Sequence, residues 1–266
     1  KMYIDTISGL GAIILGYRVE SSLGVFSLPH YKEVELAEML VERIPGCEMV
    51  RFAKNGQDVC AAAVRLARAY TKGKKIISVG YHGHWDQFVV NTPKNGGVLP
   101  ELREFLVEVN FDDIDQISDY IEHSDEPFAC VIIEVPPIPE DEFMQASKKM
   151  QELQQICNKH GVVFALDEIL TWGRYGVRGI AHKMGLTPDI VCCGKAMGNG
   201  YSISAVCGRR DIMMQLEDNV FFSSTFSGEV VGIDAAISCI KEMEKEHVVI
   251  KIWDWGREVM LQFNRQ

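Results

Sequence analysis

Short apolar runs alternate with longer amphipathic stretches along most of this chain. A continuous apolar run is typical of a strand covered on both faces, whereas an apolar stripe with a period near 3.6 predicts a helix. The runs predict strands at Lys75–Val79, Phe105–Val109, Ala129–Val135, Val162–Leu166, Ile190–Cys193 and Ile203–Cys207. The stripes predict helices at Tyr31–Arg43, Gln57–Tyr70, Asp113–His123, Asp141–His160, Gly228–Lys245 and Val248–Phe263. This alternation indicates an α/β fold with a mostly parallel sheet.

Composition and charge exclude several classes of protein. The chain has 266 residues, of which 47% are hydrophobic and 24% charged, as is usual for globular proteins. Its net charge of −10 repels phosphate backbones, so nucleic acid is not an expected partner. The apolar runs are too short to span a membrane. The eight cysteines form no CxxC pair, which favours free thiols in a reducing compartment, with the cytoplasm as the expected location.

The segment from Lys54 to Asp58 precedes the second predicted helix. Asn55 can cap this helix, and Asp58 can reach back to the cap, as in an ordinary capping box. The N–H groups of Gly56 and Gln57 would then form an anion site supported by the helix dipole. Both interpretations stay open from this segment alone, and capping is the more common explanation. Asp112 is predicted to cap the third helix in the same way.

Tyr81, His82, Gly83 and His84 directly follow the first predicted strand. The two histidines could ligate a metal, but no cysteine or carboxylate cluster lies nearby at ligand spacing, so no metal is predicted. The ring of Tyr81 can form an aromatic shelf for a planar ligand. A turn that carries a partly solvated tyrosine explains the motif equally well.

Charged residues also follow two later strands. Asp167 and Glu168 end an apolar run, where a buried carboxylate is costly unless it is paired. They predict a cation, a metal or a polar cleft, although solvation of one of the two acids is an alternative. Lys195 lies in the glycine-rich loop Gly194–Gly200, where its amine could attack a carbonyl or have only a structural role.

A run of hydroxyl side chains between Ser223 and Ser227 precedes the helix predicted from Gly228. It can cap that helix or donate hydrogen bonds to an anion. Together these segments indicate a planar, phosphorylated carbonyl compound, held by an anion cup, an aromatic shelf, an aspartate and a lysine. Pyridoxal 5'-phosphate fits this description, because it requires a lysine Schiff base and an acidic partner for its pyridine nitrogen.

These motifs resemble those of the class III, fold type I aminotransferases, and in particular of glutamate-1-semialdehyde aminomutase. The similar segments include Met2–Asp5, Tyr81–His84, Asp167–Thr171, Pro188–Val191 and Gly194–Gly200, and they cover almost the whole chain. The resemblance implies a fold type I large domain, with a mostly parallel central sheet flanked by helices in an α/β/α arrangement. It also implies a homodimer with shared active sites.

The resemblance further implies roles for individual residues. Lys195 would form the Schiff base and move protons between the substrate and the cofactor, and Asp167 would pair with the pyridine nitrogen. The other implied cofactor contacts are Tyr81 and Ile169 on the two faces of the ring, His82 beside them, Gly56 and Gln57 at the phosphate, Thr225 at the phosphate of the neighbouring subunit, and Glu134 as a further contact.

Three segments depart from the family's usual pattern. Asn55–Asp58 stands where Ser-Gly-Thr-Glu is usual, so an amide replaces a hydroxyl donor at the phosphate cup. Glu134–Pro137 departs from the usual Glu-Pro order, and Tyr201–Ser204 replaces a small apolar run. The identity of the substrate therefore stays open.

Three functions are compatible with these residues. The first is an aminotransferase that passes an amino group from an amino donor to a carbonyl acceptor. The second is an aminomutase that uses the same residues to move the amine within one molecule. The third is a catalytically silent protein that keeps the fold, which the altered cup and the short chain favour. The presence of both Lys195 and Asp167 argues against the third.

The resemblance also predicts how the chain is organised. Residues 1–30 would form an N-terminal segment that leads into a cofactor-binding large domain at 31–245. Residues 246–266 would form a helix that leads toward a small C-terminal domain, which is absent from this chain.

Overall fold

A seven-stranded sheet forms the centre of the part of the chain that the computed structural model describes, residues 29–263. The predicted N-terminal segment 1–30 therefore lies almost entirely outside the described residues. The strands are β1 (Met49–Ala53), β2 (Lys75–Val79), β3 (Leu106–Glu108), β4 (Phe128–Glu134), β5 (Val163–Glu168), β6 (Ile190–Cys193) and β7 (Ser204–Gly208). Their order across the sheet is β1-β7-β6-β5-β4-β2-β3.

The sheet is mostly parallel, as the sequence predicts. Strands β3, β2, β4, β5 and β6 pair in parallel, and only β7 runs against its neighbours β6 and β1. The carboxyl ends of β2, β4, β5 and β6 therefore meet at one edge of the sheet, where open α/β sheets bind their ligands.

Helices cover both faces of this sheet. The α-helices are α1 (Tyr31–Arg43), α2 (Gly56–Thr71), α3 (Asp86–Val89), α4 (Ile117–Glu122), α5 (Phe143–His160), α6 (Gly179–Lys183), α7 (Arg210–Met213), α8 (Gln215–Asp218), α9 (Val230–Lys245) and α10 (Val248–Phe263). Short 3-10 helices lie at Pro100–Phe105, Phe111–Gln116 and Lys195–Gly198. Within this part of the chain, no helix is long and apolar enough to cross a membrane.

Alternate residues of one strand show how the two layers form. In β4, Ile132 packs with the apolar stripe of α2, including Leu66, while Ile133 packs on the other face with Met150 of α5. This alternation is the period of two expected of a strand. The α/β/α arrangement that the resemblance implies is therefore confirmed. All eight cysteines are free, and seven of them are buried, as expected of thiols that act as small hydrophobic groups.

The sequence missed some elements and misplaced others. Strand β1 was not predicted, because Arg51 and half-buried neighbours interrupt its apolar pattern at the sheet edge. The helix predicted at Asp113–His123 is a 3-10 turn followed by the short helix α4. Asp112 lies inside that 3-10 turn and does not precede it, so the predicted cap is wrong.

The hydroxyl run before α9 does not cap that helix. The carboxylate of Glu229 instead accepts hydrogen bonds from the N–H groups of Val231 and Gly232, at 2.5 and 3.2 Å. An acidic side chain also interacts favourably with the positive end of the helix dipole. Helix α9 therefore begins at Val230, two residues later than predicted.

Candidate functional site

One cavity of about 370 Å³ lies where the carboxyl ends of β2, β4 and β5 meet the first turn of α2. The predicted site residues that line it are Gly56, Gln57, Tyr81, His82, Glu134, Asp167, Ile169 and Lys195. Asn55, Cys60, Gly83 and His84 line it as well. A larger hollow of about 580 Å³ lies against α10, but its lining is mainly apolar and brings no acid and lysine together.

The anion cup is the first turn of α2. Asn55 is the N-cap, and its backbone N–H donates to Asp58 Oδ2 over 3.1 Å, which confirms the predicted capping box. The first N–H groups of a helix have no acceptor inside it, so those of Gly56 and Gln57 remain available to an anion. A Cβ at Gly56 would lie only 2.9 Å from Ile169 Cγ2, so glycine permits the cup to approach Ile169 closely.

The loop after β2 packs against this cup. Gly83 has a φ of +101°, and a Cβ there would lie 2.4 Å from the Cβ of Gln57, so a larger residue could not follow this path. The side-chain oxygen of Gln57 is buried and has no hydrogen-bond partner among the described residues. An unpaired buried acceptor is costly, which indicates that a donor is missing here.

Asp167 lies at the floor of the cavity and is 1% exposed. Its Oδ2 accepts hydrogen bonds from His82 Nδ1 at 2.7 Å and from the thiol of Cys60 at 3.3 Å. Its Oδ1 accepts the backbone N–H of Ile169 at 2.9 Å. His82 is buried too, and its Nε2 has no partner within the described part of the chain. Asp167 is therefore a buried carboxylate that neighbouring donors hold in place, as predicted for an acid that faces a polar cleft.

Glu168 serves the fold rather than the cavity. It is fully buried, and its carboxylate accepts the N–H groups of Ile180 and Ala181 at 2.7 and 2.9 Å. Burial raises the pKa of Glu168 to about 7. The alternative that one of the two acids is solvated is therefore wrong, because Asp167 and Glu168 are both buried within β5.

Glu134 and Tyr81 form the rim of the cavity. Glu134 Oε2 accepts the backbone N–H of Tyr81 at 3.1 Å, and burial raises the pKa of Glu134. The side chain of Tyr81 is 66% exposed, so its ring can cover a ligand without displacing core residues.

Lys195 follows the buried strand β6 in a strained backbone conformation. Its φ of +42° lies in the left-handed region, which costs a residue other than glycine about 1–3 kcal/mol. Such strain is found where the surrounding structure imposes it, often at functional sites. The predicted loop thus places the lysine side chain on the cavity.

A set of hydrogen bonds ties the segment after Lys195 to the anion cup. Lys54 Nζ donates to the carbonyl of Ser202 at 3.0 Å and to Glu229 Oε2 at 2.8 Å. In return, the Ser202 and Ser204 hydroxyls donate to the carbonyls of Lys54 and Asn55, each at 2.9 Å. We call this set, Lys54 with Ser202, Ser204 and Glu229, the Lys54 clamp.

One predicted site residue lies away from the cavity. Thr225 is half-buried and does not line the cavity, so its predicted contact with a neighbouring subunit's phosphate stays a prediction.

Cys60, His82 and Asp167 offer three ligand atoms within 4.8 Å of one another, whereas His84 does not belong to this group. The hydrogen bonds to Asp167 account for their closeness.

Sequence reasoning missed Cys60 as a site residue. Its position on the apolar stripe of α2 made it indistinguishable from a core residue. One signal was present: Cys60 lies four residues after Gly56, so both lie on the same face of the helix.

Curated relatives share most of this chain. It is 34% identical over 96% of its length to a 3-aminobutyryl-CoA aminotransferase from Cloacimonas acidaminovorans, and 31% identical over 92% of its length to a glutamate-1-semialdehyde 2,1-aminomutase from Ignicoccus hospitalis. The chain spans 64% and 63% of the lengths of these two relatives, slightly less than two thirds.

A similar structure has also been solved. It is an omega-transaminase from Sphaerobacter thermophilus, with a TM-score of 0.75 and 27% sequence identity. The match covers 82% of this chain and 55% of that one. The family model for aminotransferase class-III matches residues 1–266. This chain therefore belongs to the class III aminotransferases, a family that depends on pyridoxal 5'-phosphate.

Proposed function

We propose that this chain binds pyridoxal 5'-phosphate in the 370 Å³ cavity, where Lys195 would hold it, and that it transfers an amino group from a small amino donor to a carbonyl acceptor. The observation that carries the proposal is that Lys195, Asp167, Tyr81 and the first turn of α2 line the same cavity. When bound, the cofactor supplies an electron sink for the bond changes at the substrate.

The residues present fit this group. The N–H groups of Gly56 and Gln57 suit its phosphate, and the unpaired Gln57 oxygen can accept a hydrogen bond from a protonated phosphate oxygen. The buried carboxylate of Asp167 suits a protonated ring nitrogen, which offers the opposite charge. Tyr81 and Ile169 would cover the two faces of the ring, and Glu134 would hold the Tyr81 backbone.

Lys195 would hold the proton that moves between the substrate and the cofactor. Lys195 is the lysine among the residues that line the cavity, so its neutral amine could act as a general base toward a substrate bound there. The hydrogen bond between His82 Nδ1 and Asp167 Oδ2 would hold the floor of the cavity in place during this transfer. The substrates remain defined only by class, a small amino donor and a carbonyl compound.

The test is a titration of the full chain with pyridoxal 5'-phosphate, followed by absorption spectroscopy and borohydride reduction. We expect a visible absorption band and, after reduction and digestion, a label on the peptide that contains Lys195. Lys195→Ala should lose both signals. Lys183→Ala is the control, because Lys183 lies on α6 and does not line the cavity. Saturated wild-type protein with neither signal would refute the proposal.

An intramolecular aminomutase is the second candidate. The observation in its favour is the 31% identity to a glutamate-1-semialdehyde 2,1-aminomutase. It would use the same cavity residues, so only turnover distinguishes the two activities. If the amine moves within one substrate without an added keto acid, the mutase is correct; an absolute requirement for a keto acid establishes the aminotransferase. A silent binding protein would hold the cofactor but would return no amine to any acceptor.

We further propose that the protein is a homodimer in which Thr225 contacts the phosphate bound by the neighbouring subunit. In support, Thr225 follows a segment whose Phe221 is 81% exposed, and it does not line the cavity of its own chain. A cytoplasmic location is proposed as well, since all eight cysteines are free thiols and a reducing compartment keeps them so.

A further inference from the structure

A thiol contacts the carboxylate at the floor of the cavity. Cys60 lies on the second turn of α2, is 1% exposed, and lines the same cavity as Asp167 and Lys195. Its Sγ lies 3.3 Å from Asp167 Oδ2, within hydrogen-bond range for sulfur. Cys60 and Asp167 are separated by 107 residues in sequence, so the sheet and α2 must both form to create this contact.

The proton on this thiol is directed at Asp167. The neighbouring thiol of Cys192 donates to the carbonyl of Val59 at 3.4 Å, so its own proton is already used. The contact of Cys60 with Cys192, together with burial, raises the pKa of Cys60 well above its usual range. The thiol therefore stays protonated and remains a donor.

The acceptor positions on the two oxygens of Asp167 show what the Cys60 thiol does. Each oxygen of an ionised carboxylate offers about two acceptor positions. Oδ2 of Asp167 receives both Cys60 Sγ and His82 Nδ1, so its positions are filled. Oδ1 receives only the Ile169 N–H among the described residues, so one of its positions stays open.

We propose that Cys60 is a positioning residue for the cofactor: with His82 it holds Oδ2 of Asp167 and leaves Oδ1 as the oxygen that would accept a hydrogen bond from the protonated pyridine nitrogen. This inference rests on the proposed function, because it concerns how the same cavity holds pyridoxal 5'-phosphate. Without the thiol, Oδ2 has a free acceptor position and the carboxylate is less firmly oriented.

The experiment measures the dissociation constant of pyridoxal 5'-phosphate for the full chain by fluorescence quenching, and records the visible band of the loaded protein. A chelator is present, so that a metal held by Cys60, His82 and Asp167 contributes nothing. We expect Cys60→Ala, and the similarly sized Cys60→Val, to bind the cofactor about threefold to tenfold more weakly and to shift the visible band. Cys60→Ser keeps a donor and should bind within about twofold of wild type.

Cys130→Ala is the matched control. Cys130 is a fully buried thiol in the same hydrophobic core, and it has no hydrogen bond to Asp167. This variant should have the same melting-temperature loss as Cys60→Ala but wild-type cofactor binding and spectrum. The Cys60→Val variant keeps the test decisive if the cavity left by alanine unfolds the protein.

The outcomes separate the two proposals. Wild-type cofactor affinity and spectrum in both Cys60→Ala and Cys60→Val overturn the inference and leave the proposed function intact. Equal weakening in Cys60→Ser and Cys60→Ala also overturns it, because the thiol then acts only through packing. If wild-type protein does not bind the cofactor, both the inference and the proposed function fail.

Discussion

Two adjacent acids of one strand have opposite roles in this protein. Asp167 faces the cavity and receives side-chain donors, whereas Glu168 accepts the backbone N–H groups at the start of α6. Successive residues of a strand point to opposite faces, so adjacent acids cannot both serve the same site. The apolar pattern alone does not distinguish the two acids. The family resemblance assigns the cofactor contact to Asp167, and the position of each acid in the sheet gives the physical reason.

The buried Glu168 makes stability depend on pH. Its pKa is raised from 4.5 to about 7 in the folded chain, so between these values the folded state holds a proton that the unfolded state releases. The free energy of unfolding should therefore fall as pH rises from about 4.5 to about 7, and then level off. The full shift corresponds to roughly 3 kcal/mol.

Glu168→Gln tests this dependence. Glutamine cannot titrate, so the fall in the free energy of unfolding between about pH 5.5 and 7, measured by urea denaturation, should be smaller than in wild type. It should also be lower at pH 5.5, because the glutamine amide places a donor against the N–H of Ile180 or Ala181. Glu104→Gln, an exposed site, is the control. An unchanged slope in Glu168→Gln would contradict the assignment.

At the scale of elements, the prediction succeeded where burial alone decides the pattern. All six predicted strands and five of the six predicted helices agree with the structure to within two residues at each end. Strand β1 was missed because an edge strand is only half covered and its apolar run is broken. The helix predicted at Asp113–His123 begins as a 3-10 turn, and apolar spacing over so short a segment does not distinguish the two.

The candidate site was predictable in part for the same reason. Residues at the ends of parallel strands meet by topology, so Asp167, Glu134 and Tyr81 could be placed together from the sequence. The contact of Cys60 with Asp167 depends on how α2 lies across the sheet, and no local pattern encodes it. The contact of His82 with Asp167 and the orphaned Gln57 oxygen likewise follow only from three-dimensional packing.

The Lys54 clamp joins two elements, the first turn of α2 and the segment that carries Lys195. Lys54 is 14% exposed and Glu229 24% exposed, so their ion pair is only weakly screened. Lys54→Met should remove two hydrogen bonds and release the segment from residue 195 to 204. We expect its amide hydrogen exchange to become about fivefold faster, measured by mass spectrometry of peptides from the native protein.

Lys74→Met provides the matched control for this measurement. Lys74 is 68% exposed and lies 3.8 Å from Glu126, so its loss removes the same charge without a buried contact. Exchange in residues 195–204 should stay at the wild-type rate. Equal acceleration by both variants, or none by Lys54→Met, would show that the clamp does not hold the loop.

At the scale of the whole molecule, the proposed dimer makes a prediction about how sites are shared. If Thr225 serves the neighbouring subunit, each site contains Lys195 of one chain and Thr225 of the other. A mixed dimer of Lys195→Ala and Thr225→Val chains then contains one site with both native residues. If Thr225 serves its own chain, no site in that mixed dimer is intact.

Mixed dimers can be isolated by coexpressing the two variants with different affinity tags and purifying on both. The reference is a mixed dimer of wild-type and Lys195→Ala chains, which has one intact site whether or not Thr225 serves the neighbouring subunit. At limiting pyridoxal 5'-phosphate, we expect the Lys195→Ala and Thr225→Val mixed dimer to show a visible band of the same amplitude as this reference. The Thr225→Val homodimer should bind more weakly, because a hydroxyl hydrogen bond to a charged group is worth about 1.5–3 kcal/mol. A mixed dimer no better than that homodimer places Thr225 in its own chain's site, and failure to recover doubly tagged particles refutes the dimer.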